Sequence, residues 1–267
     1  MISVVVPTCD RAAALARCLA ALARQQASSP LEIIVINDGR AAVDAPGARV
    51  IASAGGGPAA ARNRGARAAR GCVVCFTDDD CAPGPRWAQR LVDACVDGGA
   101  AAGTTIADPD AGAAGAAAQL LANTLLAASR DGAGGLRFAP TCNLACHAAT
   151  LATLPFDESF ALAAGEDRDW CARLVAGGTP LRHVPEAVVV HRPQIGVRGL
   201  VRQQRRYGRG AVAFARAGGA PADAGFYREL ARRSARAGVG TAALVALAQA
   251  SVAAGAAAEL LQQRLAR

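Results

Sequence analysis

The sequence predicts an α/β protein whose mostly parallel sheet is flanked by helices and followed by a helical C-terminal extension. Three observations predict this class: short apolar runs rich in β-branched residues, amphipathic segments of helical periodicity between them, and polar turn signals after the runs. Strands that are apolar along their whole length are typical of parallel sheets covered on both faces. In such sheets, ligands bind beyond the carboxyl ends of the strands.

The first half of the chain alternates predicted strands and helices. The strands are 2–6, 31–36, 49–52 and 72–76, and the helices are 12–25, 58–70 and 85–98. The first strand ends at Pro7, and a polar cluster, Thr8-Cys9-Asp10, follows it. Similar clusters, Asn37-Asp38-Gly39 and Asp78-Asp79-Asp80, follow the second and fourth strands. We expect all three clusters to meet at one edge of the sheet.

The second half is less regular. We predict helices over 113–129 and 166–176, and strands over 137–146 and 188–191. From residue 196 onward the pattern is helical, with breaks near 218–221 and 238–240.

Charge and cysteine content limit the class of protein. The 267 residues carry a formal net charge of +8, and all 29 Lys+Arg residues are arginines. Thirteen arginines and three acidic residues follow His191, which indicates phosphate, nucleic acid or membrane partners, or else solvated helix faces. Nine cysteines, and a start that leads from Met1 directly into a strand, predict reduced thiols in a cytoplasmic protein. Cys72 and Cys75 should face opposite sides of a strand and bind no metal together.

The acidic triplet Asp78-Asp79-Asp80 is the first candidate for chemistry. Three consecutive carboxylates after a buried strand are costly unless a cation joins them, and Mg²⁺ or Mn²⁺ binds such oxygens together with substrate phosphates. The alternative is a cluster of charges that caps the next helix. The Gly-rich turn of dinucleotide-binding proteins is absent after the first strand.

Several loose motifs occur in a fixed order. They are Ser3 to Arg11, Glu32 to Gly39, Ala61 to Gly65, Phe76 to Asp80, Thr141 to Ala145, Phe156 to Phe160, Gly165 to Asp167, His191 to Pro193, and Gln203 to Gly210. Together they resemble the bacterial family 2 glycosyltransferases, which have the GT-A fold, a Rossmann-like sheet flanked by helices. The resemblance covers about residues 2–210.

The resemblance implies a role for each matching residue. Asp80 and His191 would hold Mn²⁺ or Mg²⁺, and Asp167 would be the catalytic base with Glu166 beside it. The residues that would line the donor nucleotide are Pro7, Thr8, Asp10, Asp38, Arg62, Asp78 and Asp79. Among these, Asp38 would accept a hydrogen bond from a base N–H, and Arg62 would reach the base or the diphosphate. Asp78 would contact the ribose, whereas Asp79 would point away from the ligand. The residues that would meet the acceptor or the diphosphate are Asn143, Gln203, Arg206 and Tyr207.

The implied activity is inverting transfer of a sugar from a nucleotide-diphosphate sugar to a hydroxyl acceptor. One carboxylate base suffices for a single displacement. The expected partners are that donor, with UDP favoured, and a carbohydrate or lipid-linked acceptor of the cell envelope, without nucleic acid; a homodimer stays open. The domain would be 1–195, with a nucleotide-binding half, 1–106, and an acceptor half, 107–195, before the helical extension, 196–267. The alternatives are a non-catalytic nucleotide-sugar binder and a nucleotidyltransferase.

Two features depart from the family pattern. Cys9 stands where members often have an aromatic residue that stacks on the base, and Arg40 adds a charge after Gly39. Tyr207 replaces the Trp of the motif found in processive members, so processivity is not implied.

The stretch 237–258 contains no charged side chain and is mostly alanine and glycine. It is long enough to cross a bilayer but has few bulky residues. Three placements stay open: a membrane span, an interfacial helix drawn to anionic lipid at the inner face of the cell membrane, and a helix packed on the domain. We expect a peripheral membrane contact.

Overall fold

The computed structural model describes residues 1–53, 55–160 and 164–265. The strands are β1 (Ile2–Thr8), β2 (Leu31–Asn37), β3 (Arg49–Ala52), β4 (Val73–Phe76), β5 (Cys81–Pro83), β6 (Ala100–Ala107), β7 (Leu144–His147) and β8 (Leu181–His191). The helices are α1 (Ala12–Leu22), α2 (Gly57–Ala68), α3 (Trp87–Ala94), α4 (Gly112–Ala128), α5 (Ala148–Thr153), α6 (Glu166–Ala176), α7 (Val197–Arg216), α8 (Ala224–Arg236) and α9 (Val239–Leu265). In these residues one eight-stranded sheet has the order β3-β2-β1-β4-β7-β6-β8-β5.

The sheet is mixed, and parallel pairs are in the majority. The pairs β1–β2, β2–β3, β1–β4 and β6–β8 are parallel, whereas β4–β7, β6–β7 and β5–β8 are antiparallel. The predicted α/β class and flanking helices are therefore confirmed. Because β1, β2 and β4 run side by side in the same direction, their carboxyl ends lie at one edge.

The sheet separates two apolar cores, and the alternation of side chains along β1 supplies both. Val4 and Val6 pack in one core with Leu15 of α1, whereas Val5 packs in the other with Trp170 of α6. All five side chains are fully buried. Burial of each aliphatic side chain stabilises the fold by about 1.5–3 kcal/mol, which explains the uninterrupted apolar run in this strand.

The second half differs from the prediction. The predicted strand over 137–146 is wrong for most of its length, because Thr141–Asn143 forms a 3-10 turn and β7 begins only at Leu144. The strands β5 and β6 and the short helix α5 were not predicted. β6 begins with three fully buried alanines, 100–102. Alanine is a helix former and a poor strand former, so the composition of this segment hides the strand.

The C-terminal helices pack on the α/β domain. Leu200 of α7, Phe226 of α8 and Val245 of α9 share an apolar cluster with Ala117 and Leu121 of α4. This packing corresponds to the third placement considered for 237–258. By length and composition, α9 and the segment 109–128 could each cross a membrane, a property that core helices of soluble proteins share.

The α7–α9 contact depends on two glycines. A Cβ on Gly208 would lie 2.9 Å from the backbone nitrogen of Ala256, and one on Gly255 would lie 2.8 Å from the Cα of Arg205. The absence of a side chain at both positions lets the two helix backbones approach closely.

Candidate functional site

The acidic turn lies between β4 and β5, at the carboxyl edge of the sheet. Its three consecutive carboxylates bind different groups, because the chain turns at Asp79 and Asp80 and the three side chains point in different directions. Their partners are Arg62 for Asp78, Thr8 and Arg11 for Asp79, and Arg11 and His191 for Asp80. The polar clusters that follow the first and fourth predicted strands therefore meet, as predicted.

Asp79 is fully buried and faces the end of β1. Its Oδ2 accepts a hydrogen bond from Thr8 Oγ1 at 2.7 Å, and its Oδ1 lies 2.5 Å from Arg11 Nη2. Burial raises the pKa of Asp79 to about 6, although Arg11 and the hydrogen bond from Thr8 oppose the shift. The expectation that Asp79 or the Thr8 hydroxyl lines a nucleotide is therefore corrected, because each side chain is buried against the other.

Asp80 and His191 form the candidate metal site. The Oδ1 of Asp80 lies 3.4 Å from Nε2 of His191, and the Sγ of Cys81 completes a cluster whose ligand atoms lie within 4.8 Å of one another. Burial lowers the pKa of His191, but the hydrogen bond and charge of Asp80 outweigh it and raise that pKa to about 9. Burial likewise raises the pKa of Asp80, and His191 and Arg11 overcome it, so the pKa of this carboxyl is lowered.

The donor atoms of this cluster suit a divalent cation. A carboxylate oxygen and an imidazole nitrogen are common ligands of Mn²⁺, whereas Mg²⁺ prefers oxygen alone. The Arg11 guanidinium, 2.8 Å from Asp80 Oδ2, already places a positive charge at this carboxylate. Cys81 is a poor candidate ligand, because a hydrogen bond with Cys142 and burial hold the pKa of its thiol well above the usual value.

Arg62 joins two carboxylates from distant parts of the chain. Its Nη2 donates to Asp78 at 3.1 Å and its Nη1 donates to Glu166 at 3.0 Å, while only 5% of the residue is exposed. Burial lowers the pKa of this guanidinium, and the two carboxylates more than restore it. The buried guanidinium therefore fixes Asp78 relative to the start of α6. The expected contact of Arg62 with a base or a diphosphate stays a prediction.

Asp167 directly follows Glu166, the second carboxylate that Arg62 contacts. Gly165 precedes α6 with a φ of +99°, a left-handed conformation that turns the chain into the helix. Glu166 is buried on Arg62, whereas Asp167 is partly exposed. Burial and then repulsion from Glu166 raise the pKa of Asp167 to about 7, with Arg62 opposing them. The two adjacent acids thus differ, and Asp167 is the one that solvent reaches.

Helix α7 packs against the residues that directly precede α6. A Cβ on Gly210 would lie 2.6 Å from the Cβ of Ala164, directly before Gly165. One turn earlier, Tyr207 is 42% exposed, and burial of its hydroxyl and the charge of Asp167 raise the pKa of that group. The Arg206 guanidinium carbon lies 5.9 Å from the Tyr207 ring centre.

Two further side chains of α7 complete this region. Gln203 is partly exposed and accepts a hydrogen bond from the neighbouring Gln204 at 3.4 Å. In the described part of the chain, the buried Nε of Arg206 has no hydrogen-bond partner, so a donor faces this region without an acceptor.

The loops after β1 and β2 hold each other in place. The backbone nitrogen of Asp38 donates to the carbonyl of Thr8 at 2.8 Å, and the Asp38 carboxylate accepts from the backbone of Gly55 and Gly57. Asp10, with a φ of +53°, accepts from the backbone of residues 40 and 41. Pro7 is the partly buried penultimate residue of β1. Both carboxylates therefore shape loops, and each keeps unused oxygen lone pairs for a ligand.

Asn143 does not line a ligand site. It is fully buried, its Oδ1 accepts from Trp87 Nε1 at 2.8 Å, and its Nδ2 donates to the carbonyls of Thr104 and Ala187, each at 3.0 Å. The expected acceptor or diphosphate contact is therefore wrong. The Asn143 amide links α3, β6 and β8 behind the site.

Two site residues carried no assignment from the sequence. Arg11 stood within the first motif without a role, and its helix-start position gave no sign that it pairs with the acidic turn. Gln119 lies in the alanine-rich α4, where nothing in the sequence distinguishes it, yet its Oε1 lies 2.7 Å from Nδ1 of His191.

Comparison with solved structures identifies the class of this fold. A mannosyltransferase from Pyrobaculum calidifontis, solved with GDP-Man and Mn²⁺, superposes with a TM-score of 0.59 over 99% of this chain and 79% of its own, at 22% identity. Glucosyl-3-phosphoglycerate synthase from Mycobacterium tuberculosis, solved with Mn²⁺, UDP and glucosyl-3-phosphoglycerate, superposes with a TM-score of 0.59 over 83% of this chain and 81% of its own, at 21% identity. The fold is therefore the GT-A fold of glycosyltransferases.

Sequence comparisons find similarity to glycosyltransferases as well. Residues 3–120 match the model of glycosyl transferase family 2. The pre-mycofactocin glycosyltransferase of Mycobacterium tuberculosis is 27% identical over 80% of this chain, which spans 47% of that relative's length. Residues 3–120 are thus similar to glycosyl transferase family 2.

Proposed function

We propose that this protein transfers a sugar from a nucleotide-diphosphate sugar to a hydroxyl acceptor with inversion of the anomeric centre. The Arg62 bridge is the observation that carries the proposal. One guanidinium contacts Asp78 in the acidic turn and Glu166 beside the candidate base. Asp78 shares its turn with Asp80, and Glu166 precedes Asp167, so this bridge supports placing the candidate metal ligands and the candidate base in one site.

The proton chemistry falls to Asp167. A base that takes a proton from an acceptor hydroxyl works best when its pKa lies near the working pH, and the pKa of Asp167 is raised to about 7. Glu166 is engaged by Arg62 and keeps Asp167 basic by repulsion. A single displacement requires no enzyme nucleophile, so one such carboxylate is sufficient for inversion.

The leaving diphosphate requires positive charge. A divalent ion held by Asp80 and His191 would supply it as a Lewis acid. Arg206 offers a buried Nε without a partner in the described residues, and a guanidinium is suited to forked contacts with phosphate oxygens. Asp38, with free lone pairs at the end of β2, remains the candidate for a hydrogen bond to the base.

The identity of the donor nucleotide can be tested with a panel of sugar nucleotides. The solved relatives contain GDP-Man in one case and UDP in the other, and Cys9 provides no aromatic ring to stack on a base. We propose UDP, with Mn²⁺ favoured over Mg²⁺ because His191 is a nitrogen ligand. Release of UDP, GDP or dTDP from a panel of sugar nucleotides, with each metal in turn, identifies the combination.

The decisive variant is Asp167→Asn. It should abolish transfer and leave donor binding by calorimetry nearly unchanged, because it removes the base and keeps the shape. Asp93→Asn, an exposed acid on α3, is the control and should behave as wild type. If no nucleoside diphosphate appears with any donor, metal or glycan and lipid acceptor while donors still bind, the non-catalytic binder replaces this proposal.

We also propose that the C-terminal extension contacts anionic lipid, which would place the enzyme at the inner face of the cell membrane for cell-envelope synthesis. The end of α9 exposes Leu260, Leu261 and Leu265, and arginines occur on both sides of its apolar stretch. Sedimentation with phosphatidylglycerol vesicles but not phosphatidylcholine vesicles is expected. Recovery in the supernatant with both at low salt would refute the contact.

A further inference from the structure

Gln119 is a buried polar residue in α4, a helix that consists mainly of alanine and leucine. Only 4% of it is exposed, and its Oε1 lies 2.7 Å from Nδ1 of His191. The opposite ring nitrogen of His191, Nε2, faces Asp80 Oδ1 at 3.4 Å. The amide and the candidate metal site thus contact the two ends of one imidazole.

The surroundings of Gln119 fix the orientation of its amide. The Nε2 donates to Asn123 Oδ1 at 2.9 Å and reaches the carbonyl of Thr105 at 3.5 Å. A flipped amide would place its oxygen against these two oxygen acceptors and its NH₂ against the imidazole. Two acceptors on one side therefore leave the amide oxygen for His191.

An amide oxygen accepts hydrogen bonds and donates none, so Nδ1 of His191 must carry a proton. A metal ion that replaces the other ring proton would therefore bind at Nε2, the atom that faces Asp80. We propose that Gln119 is a positioning residue that fixes the His191 ring for metal binding, with Nδ1 toward the Gln119 amide oxygen and Nε2 toward Asp80. The inference rests on the proposed function, because it requires a divalent ion at Asp80 and His191.

The test measures metal binding directly, without donor or acceptor. Mn²⁺ alone is titrated into the full chain at pH 8, and free Mn²⁺ is followed by electron paramagnetic resonance. Loss of the partner of a metal-binding histidine typically lowers metal affinity about 10–100-fold, and we expect this for Gln119→Met. Gln119→Glu keeps an accepting oxygen in a side chain of equal length, and the Asn123 amide can turn its NH₂ toward the second oxygen, so this variant should bind Mn²⁺ about as tightly as wild type.

Two controls separate this inference from the proposal beneath it. His191→Ala should lose at least as much Mn²⁺ affinity as Gln119→Met, and thermal melts establish that each variant is folded. If Gln119→Met binds Mn²⁺ as wild type does while His191→Ala does not, the positioning role is refuted and the metal site stands.

If His191→Ala also binds normally, the proposed metal site itself fails. Equal losses in Gln119→Met and Gln119→Glu would show that Gln119 only packs α4, which also refutes the inference. Should Gln119→Met not fold, Gln119→Glu decides alone, because a tenfold loss in that variant contradicts a role as hydrogen-bond acceptor.

Discussion

The contact between α7 and α9 predicts opposite effects for one substitution at two positions of the same helix. In Gly255→Ala, the new Cβ would lie 2.8 Å from both the Cα and the carbonyl carbon of Arg205 and nearer still to its oxygen. Real Cβ atoms essentially never come under 3.0 Å. Because the obstacle is backbone, the two helices must separate to accommodate the methyl group.

The expected change in the free energy of unfolding of Gly255→Ala is the sum of two opposing effects. Overpacking typically costs about 1–3 kcal/mol, and rigid backbone on both sides places Gly255→Ala near the upper limit. Replacing a helical glycine by alanine contributes about 1 kcal/mol in the opposite direction. We therefore expect a net loss of about 2 kcal/mol in the free energy of unfolding. For a chain of this size, that corresponds to a melting temperature lower by roughly 4–8 °C.

The matched control is Gly240→Ala in the first turn of α9. A Cβ at Gly240 meets no described atom within 4 Å, so only the gain in helix propensity remains. This variant should be as stable as wild type or more stable by up to about 1 kcal/mol.

Urea titration, followed by the fluorescence of the buried Trp87 and Trp170 and by circular dichroism, measures the three proteins. A Gly255→Ala protein that unfolds at or above the wild-type urea midpoint would refute close packing of α9 on α7. It would then favour a placement of this helix away from the domain.

Three further predictions concern the site. Arg62→Met should destabilise the protein by about 3 kcal/mol, because it leaves the buried Glu166 and the partly exposed Asp78 without a counter-charge. Adding Glu166→Gln to that variant should restore part of the loss in the urea midpoint, and no rescue would contradict the Arg62 bridge. Asn143→Leu should lower the free energy of unfolding by roughly 3 kcal/mol or more, since three buried polar groups lose their hydrogen-bond partner. A melting temperature within about 2 °C of wild type would be inconsistent with this loss. Turnover should rise with pH through about 7 as Asp167 loses its proton. Because the pKa of Asp167 is higher in the folded protein, its contribution to the free energy of unfolding falls between about pH 4 and pH 7. The difference in the free energy of unfolding between Asp167→Asn and wild type should therefore grow in favour of the variant across that range and level off above it.

The sequence was most informative where structure is local. The apolar runs predicted β1, β2 and β4, and the polar residues that follow them predicted one shared edge. A strand covered on both faces must be apolar throughout, so its pattern is readable without knowledge of its neighbours. The alanines of β6 carried no such pattern, and that strand was missed.

The site was predicted in part. The sequence singled out Asp80, His191 and the pair Glu166-Asp167, and the structure brings Asp80 to His191 and Glu166 to Arg62. The expectation for Asn143 failed because a motif does not reveal whether an amide faces a ligand or the core.

What the sequence determined by itself is therefore the class of fold and the edge at which acidic residues gather. Which groups those residues bind was decided only by the tertiary structure. Arg62 contacts Glu166 across 104 positions of the chain, and Gln119 contacts His191 across 72. Periodicity reports how a segment meets water or a core, but a hydrogen bond between distant segments depends on how the whole sheet and its helices pack. That packing also makes one of two adjacent acids a buried anchor and leaves the other exposed to solvent.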